Sequence, residues 1–297
     1  MKKISAILIA FACAFCFSCS FGVDEFFYRD DQVHKRSKNV VDVSDYVNAH
    51  DLPSHGRFSV AVITDVHVGA ESFSKESEYF QRYIFWLKNK MAENESLGFP
   101  VQFVACLGDL TYNGSETDYR NYSLFAKEIE RQTGLKVYST VGNHDIYNSG
   151  FQYYLENIYP HESSYRFETK CDIQNVSWYF LDSANGTFGK PQLESIKKEM
   201  ENDPNLKIVC SHYPIYAGGY CYYTLQNVDE RDYLLSVFSK NNVRLYMAGH
   251  CHIVRNSYDF SNRFTEKVFE SSVINHNAAI VRYDISTGQL FCDRETY

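Results

Sequence analysis

Proline is scarce in this sequence, with six among 297 residues, and neither an internal repeat nor a low-complexity stretch stands out. Aromatic residues are abundant instead (24 Tyr and 22 Phe), so the composition excludes a disordered chain and indicates a globular protein. Positive charge is also in deficit, since the formal net charge is −8. A general basic surface for a nucleic-acid polymer is therefore not expected. The cysteines lack the spacing of a zinc ribbon, and we expect Cys106 and Cys210, which lie in apolar runs, to be core residues.

The first residues have the order of a secretory signal. Lys2 and Lys3 precede an uncharged run over residues 4–18, which is too short for a bilayer that requires roughly 20 apolar residues. Cys19 ends this run and resembles the lipid-attachment cysteine of a bacterial lipoprotein signal. We expect residues 1–19 to be a signal peptide, either lipidated at Cys19 or cleaved in the ordinary way. In both cases the protein would be exported, with membrane contact only through the lipid.

The rest of the chain predicts one domain. Residues 20–57 are polar and predict a tether, and residues 58–297 predict a single folded unit. Apolar runs typical of buried strands cover residues 58–64, 101–107, 136–141, 178–181, 206–210 and 243–248, with shorter strand patterns at 278–283 and 289–292. Between them lie helical apolar stripes: Phe80, Ile84, Leu87, Met91; Tyr119, Tyr122, Phe125, Ile129; Leu193, Ile196, Met200; Tyr233, Leu234, Val237, Phe238. This alternation predicts an α/β domain with one or two mixed sheets.

Polar residues that can bind metals follow nearly every predicted strand. In chain order they form the motifs Asp65-x-His67, Gly108-Asp109, Gly142-Asn143-His144-Asp145, His212 and Gly249-His250-x-His252. In α/β sheets, ligands bind beyond the carboxyl ends of the strands, where loops bring polar groups together. We expect His250 and His252 to project from the same side of an extended backbone. The number of potential ligands exceeds what one metal ion needs and matches two.

The order DxH, GD, GNHD, H and GHxH, between Phe58 and His252, resembles the calcineurin-like metallophosphoesterases, a superfamily that includes purple acid phosphatases and bacterial phosphoesterases. That resemblance implies an α/β/β/α sandwich of two mixed β-sheets flanked by helices. It also implies two divalent or trivalent metal ions, and the mixed nitrogen and oxygen ligands suit Mn, Fe or Zn. By resemblance, the first ion would be held by Asp65, His67 and His252, the second by Asn143, His212 and His250, and Asp109 would bridge both.

The same resemblance implies a mechanism. A hydroxide that bridges the two ions would attack phosphorus, while the ions orient the phosphoryl oxygens. His144 has no ligand role in this scheme and would contact the phosphoryl group or protonate the leaving oxygen, because imidazole titrates near neutral pH. The side chain of Cys251 would point away from the ions.

The second motif, GDLTYNG, departs from the GDxxDRG of protein phosphatases in this superfamily. Tyr112 and Asn113 replace the acid that orients the catalytic histidine and the arginine that binds phosphate, so a Ser/Thr protein phosphatase is not expected. Asp145 could orient His144 instead, with a loop cap as the alternative. Purple acid phosphatases use a tyrosine at the position of Tyr112 to bind iron, but they lack the histidine of DxH. Because His67 is present, we interpret Tyr112 as a pocket residue, with iron-bound tyrosinate as the alternative.

These observations predict a dinuclear metal-dependent hydrolase of phosphomonoesters or phosphodiesters. We expect it to act outside the cytoplasm, as a monomer, on a small phosphate ester, and the identity of the leaving group is left open. The tyrosine-rich residues 213–223 are interpreted either as a wall of the substrate pocket or as a packed loop. The alternative function is a non-catalytic cell-surface binding module on the same fold.

Overall fold

The computed structural model of the protein describes residues 32–47, 49–70, 76–219, 223–253 and 255–297. The predicted signal peptide with Cys19, and also Cys221, lie outside the described residues. Within these ranges, no helix combines the length and the apolar character that crossing a membrane would require. Cys106 and Cys210 are fully buried, as predicted for core residues.

Strands and helices alternate through most of the described chain. The strands are β1 (Val41–Asp42), β2 (Arg57–Ile63), β3 (Val101–Cys106), β4 (Val137–Ser139), β5 (Tyr165–Thr169), β6 (Val176–Phe180), β7 (Leu206–Cys210), β8 (Val243–Ala248), β9 (Asn256–Asp259), β10 (Thr265–Val268), β11 (Asn277–Asp284) and β12 (Gln289–Thr296). The α-helices are α1 (Val33–Arg36), α2 (Ser44–Val47), α3 (Glu76–Ser96), α4 (Glu116–Thr133), α5 (Phe151–Asn157), α6 (Lys190–Asn202), α7 (Val228–Lys240) and α8 (Ser272–Asn275). Short 3₁₀ helices cover His144–Ser149 and Ala217–Gly219.

Two mixed sheets carry the fold. One sheet has the strand order β1-β5-β6-β7-β8-β10-β9, and the other has the order β12-β11-β2-β3-β4. In the second sheet β2, β3 and β4 are parallel, and in the first sheet β6, β7 and β8 are parallel. Because parallel strands end on the same side, each sheet collects several carboxyl ends along one edge.

An aromatic layer holds the two sheets face to face. The indole ring of Trp178 on β6 meets Phe58 of β2 at 5.6 Å and Phe103 of β3 at 4.7 Å between ring centroids, both edge-on. The Trp178 side chain is fully buried, and its N–H donates to Thr169 Oγ1 at 3.0 Å. Edge-to-face aromatic pairs add about 0.5–1.5 kcal/mol beyond the apolar area that they bury. This packing sets the position of one sheet, and therefore of its strand ends, relative to the other.

Helices cover the outer faces of both sheets. The predicted stripes of α3 and α4 pack on the five-stranded sheet, and those of α6 and α7 pack on the seven-stranded sheet. Helix α4 begins at the N-cap Ser115, whose side chain accepts a hydrogen bond from the Asp118 backbone N–H, and it ends at Gly134 in a left-handed conformation. The predicted α/β/β/α sandwich of two mixed sheets is confirmed.

Residues 32–47, which the sequence predicts as part of a polar tether, are folded into the domain. Val33 and Val43 are fully buried, and β1 extends the seven-stranded sheet beside β5. The Arg36 guanidinium pairs with the buried Asp182 carboxylate through Nε (2.7 Å) and Nη2 (2.9 Å), and the Ser37 hydroxyl also donates to it. This packing depends on a few separated valines and one arginine. Because these residues form no apolar stripe, the sequence does not predict it.

We expect Arg36→Ala to lower the free energy of unfolding by about 3–5 kcal/mol, because it leaves the Asp182 carboxylate buried without its partner. Urea denaturation followed by tryptophan fluorescence measures this loss. Lys190→Ala, which removes an exposed ion pair with Glu194, is the matched control and should cost less than about 1 kcal/mol. Equally small losses in the two variants would show that residues 32–47 are attached as loosely as a tether.

Candidate metal centre

The candidate site lies where strand ends from both sheets meet. The five-stranded sheet supplies Asp65 and His67 after β2, Asp109 after β3, and Asn143 and His144 after β4. The seven-stranded sheet supplies His212 after β7, and His250 and His252 after β8. The structure brings all eight sequence-predicted residues together at this edge.

The backbone at five of these residues is left-handed. The φ angles are 51° at Asp65, 48° at His67, 50° at Asp109, 67° at His250 and 40° at His252. Such conformations cost non-glycine residues of order 1 kcal/mol or more each, and they persist where the surrounding structure over-determines them. Their concentration at one edge of the fold is typical of a functional site.

The expectation that His250 and His252 project from an extended strand is therefore wrong. Strand β8 ends at Ala248, and the Cys251 backbone N–H turns back to donate to the Gly249 carbonyl at 2.8 Å. The two rings still reach the same site, but tight turns aim them there and strand alternation does not. The Cys251 side chain packs in a separate cluster with Ala217 and Val268.

The first group of potential ligands consists of Asp65, His67, Asp109 and His252, whose ligand atoms all lie within 4.8 Å of one another. The Nε2 atoms of His67 and His252 are 3.2 Å apart, and His67 Nε2 is 3.7 Å from Asp109 Oδ2. At this distance the two Nε2 atoms cannot both carry a proton. Their lone pairs can instead converge on one cation.

The second group contains Asp109, His212 and His250, again within 4.8 Å of one another. The Nε2 atom of His212 lies 3.4 Å from Asp109 Oδ2 and 3.1 Å from Asn143 Oδ1, so the predicted ligand Asn143 adjoins this group. His212 Nδ1 contacts the Leu107 carbonyl at 2.7 Å and therefore carries a proton. That hydrogen bond turns Nε2 toward the other ligands.

Two carboxylate oxygens in the site are buried without a hydrogen bond. Asp65 Oδ2 accepts from Thr64 Oγ1 (2.6 Å) and Asp109 Oδ1 accepts from the His144 backbone N–H (2.8 Å). The other oxygens, Asp65 Oδ1 and Asp109 Oδ2, accept none, although His252 Nε2 lies 3.2 Å from Asp65 Oδ1 outside hydrogen-bond geometry. Among the buried carboxylates of the described residues, these two oxygens alone accept no hydrogen bond.

A pair of metal ions fits this arrangement. Buried Asp182 has Arg36 as its partner, and buried Glu266 accepts from the backbone N–H groups of residues 215–217. The charged partners of Asp65 and Asp109 among the described residues are imidazoles of the site itself, with His252 Nε2 3.2 Å from Asp65 Oδ1 and His212 Nε2 3.4 Å from Asp109 Oδ2. A buried carboxylate without a compensating charge costs several kcal/mol, and either a proton on these rings or a bound cation can supply that charge. Carboxylate, imidazole and amide ligands suit Mn, Fe or Zn. Because Asp109 belongs to both groups of candidate ligands, two ions held here would share it.

The histidines of the site differ in their protonation. Burial lowers the pKa of His67 to about 4 and that of His250 to about 3, so both rings are neutral at pH 7 and offer a lone pair. Burial is the largest single effect on His212 and acts to lower its pKa, but the charge and contact of Asp109, the charge of Asp65 and the hydrogen bond to the Leu107 carbonyl together outweigh it and raise that pKa to about 9. In the absence of metal, His212 and Asp109 therefore form an ion pair. A metal ion held by His212 would have to displace the proton on its Nε2.

Two glycines of the sequence motifs let the loops approach closely. A Cβ at Gly142 would lie 2.1 Å from the Asp109 backbone nitrogen and 2.3 Å from its Oδ1. A Cβ at Gly249 would lie 1.9 Å from Thr64 Oγ1 and 2.7 Å from Asp65 Oδ2. Each glycine thus packs against an aspartate that a different loop supplies, and any side chain there would displace the aspartate.

His144 is oriented by a backbone carbonyl. Its Nδ1 atom lies 2.8 Å from the carbonyl oxygen of Tyr112, so Nδ1 donates and Nε2 is the nitrogen left to face a substrate. Asp145 is the predicted alternative for this task, but it caps a loop instead. It accepts hydrogen bonds from the backbone N–H groups of Leu110, Thr111 and Gly142. Tyr112, which stands where protein phosphatases have the orienting acid, thus orients His144 through its main-chain carbonyl.

The segment around Ser271 supports the site and was missed by the sequence analysis. The fully buried Ser271 hydroxyl donates to the Asp65 carbonyl at 3.0 Å, and the Ser271 backbone N–H donates to the His252 carbonyl at 2.8 Å. Tyr213 supports His250 in a different way, with its ring stacked on the imidazole at 3.9 Å between centroids. A lone serine carries no sequence signal, whereas Tyr213 is the first residue of the tyrosine-rich segment 213–223 that the sequence already singles out.

Comparisons with known proteins identify the family and the fold of this chain. The model of a family described as calcineurin-like phosphoesterase matches residues 58–254. A probable cyclic nucleotide phosphodiesterase of Coxiella burnetii is 22% identical over 213 residues, which cover 69% of this chain and 79% of that protein. Two solved structures share the fold at 14% identity over 81% of this chain. They are a dimetal phosphatase from Danio rerio (99% of that chain, TM-score 0.55) and the anchor in the inner membrane complex of Plasmodium (84%, TM-score 0.58).

We expect Gly142→Ala to reduce metal content and to destabilise the protein by more than about 2 kcal/mol, because the added methyl group collides with the main chain of Asp109. Elemental analysis and thermal unfolding measure the two effects. Gly288→Ala is the control, since its backbone is also left-handed (φ 70°) but its Cβ would meet nothing within 4 Å. It should lose about 1 kcal/mol and retain its metal. Normal metal content in Gly142→Ala would contradict the close approach described above.

Proposed function

We infer that the chain, which belongs to the calcineurin-like phosphoesterase family, hydrolyses phosphate esters with a pair of metal ions. The observation that carries this proposal is the pair of buried carboxylate oxygens, Asp65 Oδ1 and Asp109 Oδ2, that lack a hydrogen bond among converging imidazoles. Metal-dependent phosphoester hydrolysis is the activity of the family. The dinuclear mechanism and the division of ligands are the finer steps of the proposal.

The proposed ligand sets follow the two groups of residues. The first ion would be held by Asp65, His67 and His252, the second by Asn143, His212 and His250, and Asp109 would be shared. Two carboxylates against two divalent ions leave a local charge of about +2, which attracts a phosphate even though the chain as a whole is acidic. When bound, such ions supply a water of lowered pKa and stabilise charge on the phosphoryl oxygens.

His144 is the proposed acid for the leaving group. Its ring lies 4.5 Å from the ring of His67 between centroids, so it adjoins the first ligand set without belonging to either. The Tyr112 carbonyl holds the proton on Nδ1, which leaves Nε2 to carry and deliver a second proton to the departing oxygen. The Asp109 carboxylate aids this placement because its Oδ1 accepts the His144 backbone N–H.

Phosphomonoesters and phosphodiesters both fit this machinery. The probable phosphodiesterase of Coxiella burnetii favours including nucleotides among the substrates to be tried. A non-catalytic binding module is the second candidate, since the Plasmodium neighbour is described as an anchor. The complete set of eight site residues argues for the enzyme.

We also propose that the protein acts outside the cytoplasm. This rests on the order of charged and apolar residues over 1–19 and on Cys19. A lipid on Cys19 would hold the domain at a membrane surface in the cell envelope. Without the lipid, the protein would be periplasmic or secreted.

We expect Asp109→Ala to lose both metal ions and His144→Ala to retain them while turnover falls by about 10²–10⁴-fold. Elemental analysis with hydrolysis of nitrophenyl phosphate and bis-nitrophenyl phosphate, after reconstitution with Mn, Fe or Zn, measures both effects. Equal metal loss in the two variants would show that the division of roles is wrong. A wild-type protein without metal and without turnover would favour the binding module.

We expect the full chain in the membrane fraction of its cells, and Cys19→Ala in a soluble exported fraction or retained with an uncleaved signal. Fractionation and metabolic labelling with a fatty acid test this. Wild-type protein in the cytoplasm would contradict the proposed export. An exported wild type that carries no fatty-acid label would show that the signal is cleaved in the ordinary way without lipidation.

A further inference from the structure

The metal centre has a buried floor and an open mouth. Asp65, His67, Asp109 and His212 are buried and form the floor. Four other site residues, Asn143, His144, His250 and His252, are partly exposed and form the mouth. A phosphate ester bound at the ions must therefore place its leaving group among the residues beside the mouth.

Tyr112 stands at one side of this mouth. Its ring is 5.6 Å from the His144 ring and 6.0 Å from the His67 ring between centroids, yet 42% of the residue is exposed. The main chain fixes its position, since the Tyr112 N–H donates to the Val68 carbonyl and its own carbonyl accepts from His144. The backbone contacts thus fix the position of Tyr112, and its ring faces solvent next to His144, the proposed acid.

Tyr223 stands beside the other ligand set. Its ring lies 6.1 Å from that of His250, and 46% of the residue is exposed. Tyr213, which is buried, stacks closely on the His250 ring and accounts for the structural support of that ligand. Tyr223 differs from Tyr213 because its ring is exposed and lies farther from the His250 ring.

We propose that Tyr112 and Tyr223 form a specificity surface for a leaving group that contains a planar aromatic ring, such as the base of a nucleotide. This rests on the proposed phosphoesterase function and names the substrate class for the same site. An aromatic ring can stack on the face of any base, because it does not contact the edge atoms that distinguish one base from another. Each such stack strengthens binding by about tenfold. A sugar phosphate or an alkyl phosphate lacks the ring that would gain from these two tyrosines.

Calorimetric titration of the metal-loaded full chain with the 5′-phosphonate analogues of adenosine 5′-monophosphate and of ribose 5-phosphate tests the proposal. Their C–P bonds resist the proposed hydrolysis, and the two ligands differ in the presence of the base. We expect the nucleotide analogue to bind at least about tenfold more tightly. Tyr112→Ala or Tyr223→Ala should reduce this ratio severalfold, and the corresponding Phe variants should keep it. Tyr46→Ala, at an exposed tyrosine of helix α2, is the matched control and should leave the ratio unchanged.

Equal affinity of the wild type for the two ligands, or an unchanged ratio in both Ala variants, would overturn the proposal. Hydrolysis of the two nitrophenyl esters is measured in parallel, so that the specificity surface and the proposed function are judged separately. Turnover without base preference would overturn the specificity surface alone. Base preference without any turnover would support the surface and overturn the catalytic function.

Discussion

The burial of two incompletely paired carboxylates is the constraint on which the rest of the structure depends. Asp65 and Asp109 each have one oxygen held by the chain and one oxygen without a hydrogen bond. The same fold contains Asp182, equally buried, whose charge is neutralised internally by Arg36. The contrast shows that this chain can neutralise a buried acid where its structure requires it. At the candidate site a proton on His212 supplies the compensating charge, and bound cations would supply it instead.

The surrounding structure is organised to hold these carboxylates in place. The aromatic layer around Trp178 fixes one sheet against the other, which brings strand ends from separate sheets to a common edge. Left-handed backbone at five candidate ligand positions then aims the side chains inward. Gly142 and Gly249 remove the Cβ atoms that would otherwise push the aspartates away. The strain in these loops is offset by the packing of the strands that precede them, which is why the site lies at strand ends and not on long flexible loops.

The mouth of the site differs from its floor in burial and in what holds its residues in place. The residues of the floor are buried and held in place by hydrogen bonds. The charge at the site therefore determines which residue types can stand there. Tyr112 and Tyr223, which lie beside the mouth, have exposed rings; the Tyr112 backbone N–H donates to the Val68 carbonyl, and the Tyr223 carbonyl is 3.8 Å from Cys251 Sγ. The backbone of Tyr112 orients His144, whereas its ring is available for recognition, so one residue links the proposed acid to the proposed choice of leaving group.

The sequence by itself determined which residues meet, because each motif directly follows an apolar strand and parallel strands end at a common edge. It also determined the helices and the layered fold, since apolar stripes of α3, α4, α6 and α7 repeat at helical spacing. Only the tertiary structure decided how the ligands are aimed, because the left-handed turns at His250 and His252 depend on contacts with distant loops. The partner of His144 and the packing of residues 32–47 were decided in the same way. A carbonyl oxygen is present in every residue, and a single arginine pairs with an aspartate 146 positions away, so neither contact leaves a local pattern in the sequence.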